Sequence, residues 1–182
     1  MIAAPSCENR GMRVHLGSDH AGLELKDHLL AWLADHGFDP VDHGPFVHDP
    51  EDDYPVFCLR AAEGVVADQQ DGGDSLGVVI GGSGNGEQIA ANKVRGVRSA
   101  LVWNEETAVL ARRHNDANVI SVGGRMHSVA EMTRFVELFL ATEFPAEERH
   151  ARRIAMLADY EKTHVLPPLP DSALRGQAAP DA

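Results

Sequence analysis

The chain is poor in cross-linking residues and in cations. Its 182 residues include two cysteines, Cys7 and Cys58, which allow one disulfide at most and sit in no CxxC or Cys/His array. Neither a structural metal nor a disulfide-stapled scaffold is indicated, and a reduced, cytoplasmic setting fits. Only 16 Lys and Arg stand against 28 Asp and Glu, for a formal net charge of -12. Nucleic-acid affinity needs clustered cations, so a phosphate-backbone binder is excluded and any anionic ligand must meet a local positive patch. No apolar run approaches the roughly 20 residues of a membrane helix. The N-terminal stretch lacks the early cation and continuous apolar run of an export signal. The ten histidines show neither His-x-His nor His-Glu-x-x-His spacing, so no metal is expected. There is no internal repeat.

What is present is an alternation of short apolar runs with amphipathic stretches. It lies between a leader, 1–11, and a proline-rich tail, 165–182, both expected to be disordered; Met12, just before the first strand, is an alternative start. Strands are expected at 12–16, 38–42, 76–80, 99–102 and 119–122. Helices are expected at 20–36, 54–67, 87–93 and 105–114, from a Ser128 cap to 140, and at 146–164. Leu25, Leu29 and Leu33 fall on one helix face, with Gly37 to close the end. Asn104 is a cap, Ser128 and Glu131 have capping-box spacing, and the polar 68–74 stretch reads as a surface loop. The order predicts an α/β fold in one domain over 12–164: a Rossmann-like three-layer sandwich with a five-stranded parallel sheet and helices on both faces. Ligands of such sheets bind outside the carboxyl ends of the strands, where the winding reverses, which brings together loops 18–20 and 81–87.

The stretch Gly81-Gly82-Ser83-Gly84-Asn85-Gly86-Glu87 offers exposed backbone N–H groups at a strand-to-helix turn, an anion cradle. It is no dinucleotide fingerprint, because the third glycine position falls on Glu87, and no P-loop, because Gly-Lys-Ser/Thr is absent. A tight turn with an ordinary first-turn acid would use the same residues. The helix N-terminus favours ionised Glu87, however, and a base beside amide donors suits proton abstraction next to a carbonyl, where each donor aimed at the oxyanion lowers the barrier by roughly 3 kcal/mol. Asp19-His20 lies across the crevice, and Asp19 can also cap the following helix. His114 ends a helix, where the dipole favours a cation. Arg149 and Arg153 are one turn apart with no acid three or four residues away, which suits a phosphate, a surface face or a subunit contact.

Five ordered motifs resemble the ribose-5-phosphate isomerase type B family, within the group that also holds the galactose-6-phosphate isomerase subunits. They are Arg-Val-His-Leu-Gly-Ser-Asp-His-Ala-Gly-Leu-Glu-Leu-Lys over 13–26, Asp-Asp-Tyr-Pro over 52–55, Gly-Gly-Ser-Gly-Asn-Gly-Glu-Gln-Ile-Ala-Ala-Asn-Lys over 81–93, Arg-His-Asn over 113–115 and Gly-Gly-Arg-Met-His over 123–127. The resemblance covers about 12–164. Many family members use a cysteine at the position matching Gly81; the actinobacterial branch uses a glutamate matching Glu87, and this chain sides with it. Cys58 does not match the cysteine position and reads as a buried thiol in a helix.

The resemblance implies metal-free and cofactor-free interconversion of ribose 5-phosphate and ribulose 5-phosphate, in the pentose phosphate pathway. Glu87 would shuttle the proton and Ser83 would assist exchange at the sugar oxygens. The backbone of Gly82, Gly84 and Gly86 would stabilise the enediolate, and His114 and Asp19 would open the ring. Arg149, Arg153, His20 and Arg125 would hold the phosphate, while Tyr54 and Asn115 line the pocket. It further implies a homodimer with shared sites, a tetramer being left open, in which His114, Asn115, Arg125 and the arginine pair come from the partner. Two other readings stand beside this one: the same chemistry on a tetrose or hexose phosphate, and a non-catalytic sensor of a nucleotide or sugar phosphate.

Overall fold

The computed structural model of the protein describes residues 11–170; the expected leader up to residue 10, with Cys7, and the tail from 171 onward lie outside them. Eleven elements follow in order: β1 (Arg13–Ser18), α1 (Leu23–Asp35), β2 (Asp39–Asp42), α2 (Tyr54–Gln70), β3 (Leu76–Gly81), α3 (Asn85–Ala91), β4 (Ser99–Leu101), α4 (Glu105–Asn115), β5 (Val119–Gly123), α5 (Val129–Ala141) and α6 (Glu148–Thr163). The strands form one parallel sheet in the order β2-β1-β3-β5-β4, the α/β fold expected. The chain divides into two compact units, the first ending at Ala146 and the second beginning at Glu147, where the sequence reading runs one domain from 12 to 164. No helix among the described residues is long and apolar enough to cross a membrane.

Alternate strand residues feed two cores. Val14, Leu16, Val78, Ile80, Ile120 and Val122 meet α1, α4 and α5, with Leu25, Leu29 and Leu33 all buried as the helical spacing predicts. On the other face, Val79 and Val119 meet Cys58, Ala61, Ala62 and Val65 of α2 and Ala90 and Ala91 of α3. That second interface is tight because the contact residues are small. A Cβ on Gly17 would stand 2.6 Å from the Phe57 carbonyl oxygen, so β1 and α2 touch backbone to backbone.

Element ends depart from the sequence expectations for local reasons. β1 runs on to Ser18 because Gly17 and Ser18 still pair with Val79 and Ile80. α1 starts at Leu23, not 20, because Asp19 Oδ1 accepts from the Ala21 and Gly22 amides at 2.9 and 3.1 Å and organises a turn first. β2 contains Pro40, which an edge strand tolerates. α2 continues to Gln70, so Asp68 is in a helix rather than a loop. Both expected caps are seen, with full capping boxes at Asn104/Thr107 and Ser128/Glu131.

Two polar braces cross the fold beside the sheet. Lys26 is fully buried; its Nζ donates to both Asp42 carboxylate oxygens at 2.8 and 2.7 Å, and Asp42 Oδ1 also accepts from the Gly44 amide at 2.8 Å. This ties α1 to the segment leaving β2. Behind β1, buried His15 bonds Asp68 through Nε2 at 2.9 Å and His43 through Nδ1 at 2.8 Å, and Arg13 bonds the other Asp68 oxygen at 3.0 Å. Hydrogen bonding from His15 holds the Asp68 carboxyl below its ordinary value. Burial, with His15 next to it, holds the His43 imidazole below its own.

The signs set the pH response. Because folded His43 resists a proton that the unfolded chain accepts below about pH 6.5, stability falls as pH drops from there; the Asp68 contribution is lost only below about pH 4. The thermal midpoint is expected to decline between pH 7 and 5, and the decline should be shallower in His43→Gln. Equal slopes in scanning calorimetry of the two proteins would refute the assignment.

Candidate active site

Order 2-1-3-5-4 places the winding reversal between β1 and β3, so the loops leaving their carboxyl ends face each other. Ser18 pairs with Ile80, Gly81 with Gly123, and the Asp19 amide donates to the Ile80 carbonyl at 3.1 Å. A third loop, after β5, joins them: the Gly124 amide donates to the Gly81 carbonyl at 2.7 Å and the Arg125 amide to that of Gly82 at 3.1 Å.

The glycine turn between β3 and α3 is shaped by what surrounds it. Gly84 has φ of 82°, and a Cβ there would stand 2.8 Å from Leu101 Cδ1 and 3.1 Å from Ser121 Oγ. Only glycine meets both demands. Ser121, wholly buried in mid-strand, donates from Oγ to the Gly84 carbonyl at 2.6 Å and pins the turn. Gly86 lies under the Tyr54 ring, 2.8 Å from a Cβ to Cζ.

Glu87 sits in the first turn of α3 and is 4% exposed. Its carboxylate folds back over the glycine turn so closely that a Cβ on Gly81 would coincide with it. The group accepts from the backbone of Gly84 and of Glu87 itself, which favours ionisation. Burial is nevertheless the largest influence and pushes its pKa up, helped by the charge of Asp19. The helix N-terminus alone suggested a stabilised carboxylate; desolvation outweighs it, and the result is a stronger base than an exposed glutamate.

The walls carry the other expected residues. Asp19 is 9% exposed and caps its turn, so the capping and crevice positions coexist. His20 is held by Asp52, whose Oδ1 accepts from the His20 amide at 3.1 Å and from Nδ1 at 2.7 Å. Ser83 is exposed, its Oγ accepting from Asn85 Nδ2 at 3.2 Å. Arg125 brings Nη1 within 3.6 Å of where a Gly82 Cβ would be. It reaches the crevice from its own chain, whereas the family resemblance drew it from a partner.

His114 and Asn115 are not assembled with Glu87. α4 descends from the carboxyl end of β4 to the amino end of β5, so His114 and Asn115 in its last turn lie at the opposite end of the sheet from Glu87. Arg149 and Arg153 belong to α6 in the second unit. Arg149 is not unpaired as the spacing suggested: Glu147, two residues back, lies 3.4 Å from its Nε, which also donates to His150 Nε2 at 3.1 Å. Cys58 is buried in α2 as expected, and burial, with Glu87 and Asp19 nearby, pushes its thiol far up, away from nucleophilic use. The sequence reading missed Asp52 and Ser121 as site-shaping groups. A polar residue inside an apolar strand was the available signal for Ser121; Asp52 stood within a quoted motif but gained a partner only on folding.

A buried base over converging amides, with an arginine at the rim, can move a proton beside a carbonyl and hold an anionic ligand. The ribose/galactose isomerase family model matches residues 14–157. Ribose-5-phosphate isomerase B of Mycolicibacterium paratuberculosis is 57% identical over 159 residues, covering 87% of this chain and 98% of that one. The protein of that name from Mycobacterium tuberculosis H37Rv is 54% identical over 160 residues, 88% and 96% of the two chains. Among solved structures, ribose-5-phosphate isomerase B of Mycoplasma genitalium with bound ribulose-5-phosphate superposes with a TM-score of 0.79 at 40% identity, over 85% of this chain and 99% of that one. Type B ribose 5-phosphate isomerase of Trypanosoma cruzi gives 0.77 at 39% over the same shares. Motifs, fold and relatives agree that this chain is an aldose–ketose isomerase belonging to the ribose/galactose isomerase family.

Proposed function

We propose that the chain interconverts ribose 5-phosphate and ribulose 5-phosphate with Glu87 as the base. Glu87 takes the proton from C2, the C–H electron pair forms the C1–C2 double bond of an enediolate, and charge moves onto the C1 oxygen. The proton on O2 passes to the C1 oxygen as the C2 carbonyl forms, and the C1–C2 electron pair takes the carried proton back from Glu87 at C1, which completes the ketose. Amides of the glycine turn, 82–86, stabilise the oxyanion, and Ser83 assists exchange at the sugar oxygens. Asp19 and His114 open the ring, Tyr54 and Asn115 line the pocket, and His20, Arg125, Arg149 and Arg153 hold the phosphate.

The observation that carries this reading is the desolvated Glu87 carboxylate lying over Gly81. The other branch of the family places its cysteine at the position matching Gly81, and a side chain there would enter the volume the Glu87 carboxylate fills. Cysteine and glutamate are thus two routes to one point in space. Because the α4 end bearing His114 and Asn115 is far from Glu87 within one chain, the complete site is that of a homodimer in which a partner supplies them. The setting is cytoplasmic, in line with two isolated cysteines, one of them a buried free thiol.

Glu87→Gln is expected to lower kcat on the order of 1,000-fold while sugar-phosphate binding persists. It should also raise the thermal midpoint at neutral pH, because ionising a carboxyl whose pKa is pushed up costs stability there. Steady-state kinetics and calorimetry on one preparation check both; retained turnover removes Glu87 from the role. Gly81→Ala should displace the carboxylate and lower kcat by on the order of 100-fold. In wild type, the acid limb of kcat/KM should lie above the ordinary glutamate value of about 4.3, since the base must be unprotonated and burial raises its pKa. Specificity constants for ribose 5-phosphate against tetrose and hexose phosphates test the sugar; a hexose or tetrose phosphate preferred over ribose 5-phosphate would overturn that assignment while leaving the chemistry in place.

A further inference from the structure

One buried carboxylate at the crevice has no part in the scheme above. Asp52 stands two residues before α2, and its side chain is 7% exposed. Its Oδ1 accepts twice from a single residue, the amide and Nδ1 of His20, while Oδ2 is buried without a protein hydrogen-bond partner among the described residues. Leaving a buried acceptor unsatisfied is costly, so a carboxylate held this way beside the crevice calls for a reason beyond packing. The neighbouring acid, Asp53, is exposed and takes the N-cap position of α2.

The double bond defines the imidazole in two respects. Anchoring through both the backbone and Nδ1 fixes the ring's rotation about its side-chain bonds, and the His48 ring stands edge-on at 6.0 Å beside it. An ionised carboxylate can only accept, so Nδ1 must carry hydrogen whether the ring is neutral or charged. Nε2 is therefore the nitrogen left to a ligand: a lone pair toward a hydroxyl when the ring is neutral, a donor toward a phosphate oxygen when it is charged.

We infer that Asp52 is a positioning residue, which locks His20 into the Nδ1–H form and the orientation that presents Nε2 to the sugar phosphate. The inference rests on the proposed isomerase reading for the identity of the ligand, but the geometry of the pair stands apart from it. Since His20 is assigned to the phosphate, the loss falls on KM rather than on kcat.

Two measurements test it. In steady-state assays with ribose 5-phosphate, Asp52→Asn is expected to raise KM roughly tenfold or more with kcat changed less than about twofold, as for a displaced charge-assisted hydrogen bond. The Asp52→Asn/His20→Gln double variant should then be no worse than His20→Gln alone, because the two residues act as one unit. Additive losses, or an unchanged KM, would overturn the inference. Long-range 1H–15N spectra of the ligand-free wild-type protein should show His20 protonated at Nδ1; a ring protonated only at Nε2 sinks it whatever the kinetics. If instead the wild-type protein turns over no sugar phosphate, the proposed function fails, while the imidazole spectrum still decides Asp52's hold on His20.

Discussion

The site depends on a carboxylate kept out of water against a strand end that has no side chain. Glu87 lies where a residue larger than glycine at 81 would put its own Cβ, and its exposure is only 4%. Desolvation raises its affinity for a proton, while the amides of α3's first turn keep it from being stranded without partners. Basicity and a supply of donors usually conflict, since donors to a carboxylate weaken it as a base. Here the conflict is settled by burial, which the Asp19 charge reinforces.

The sheet makes that arrangement possible. Strand order brings three loops together at the carboxyl end of the sheet, and the loops are braced from outside the crevice. Lys26 and Asp42 hold the segment after β2, the Asp68–His15–His43 chain ties α2 to β1, and Ser121 pins the Gly84 carbonyl. Each brace is a polar contact anchored by one buried side chain, Lys26, His15 or Ser121, so it specifies geometry where apolar packing would tolerate sliding. The small residues of α2 complete the effect by letting helix and strand backbones touch.

The same topology explains why one chain carries only part of the proposed machinery. A parallel sheet puts every strand's carboxyl end on one side, and any helix returning to the next strand must end on the other. His114 and Asn115 close such a helix. Their distance from Glu87 within the chain is thus a consequence of the fold class and not of loop detail.

Much of this could be read from the residues in order. Alternating apolar runs and amphipathic stretches specify five parallel strands between helices, because side-chain periodicity is local; Leu25, Leu29 and Leu33, the Asn104 cap and the Ser128–Glu131 box are all legible that way. So is the glycine turn ending in an acid. The sequence could not set the balance at Glu87, where helix N-terminus and burial oppose each other and only the enclosing walls decide. Nor could it pair Asp52 with His20, join His15 to Asp68 across 53 positions, or bring the loop of Arg125 to the glycines. Periodicity and caps are properties of neighbours along the chain, whereas desolvation and long-range hydrogen bonds exist only once distant segments enclose a volume.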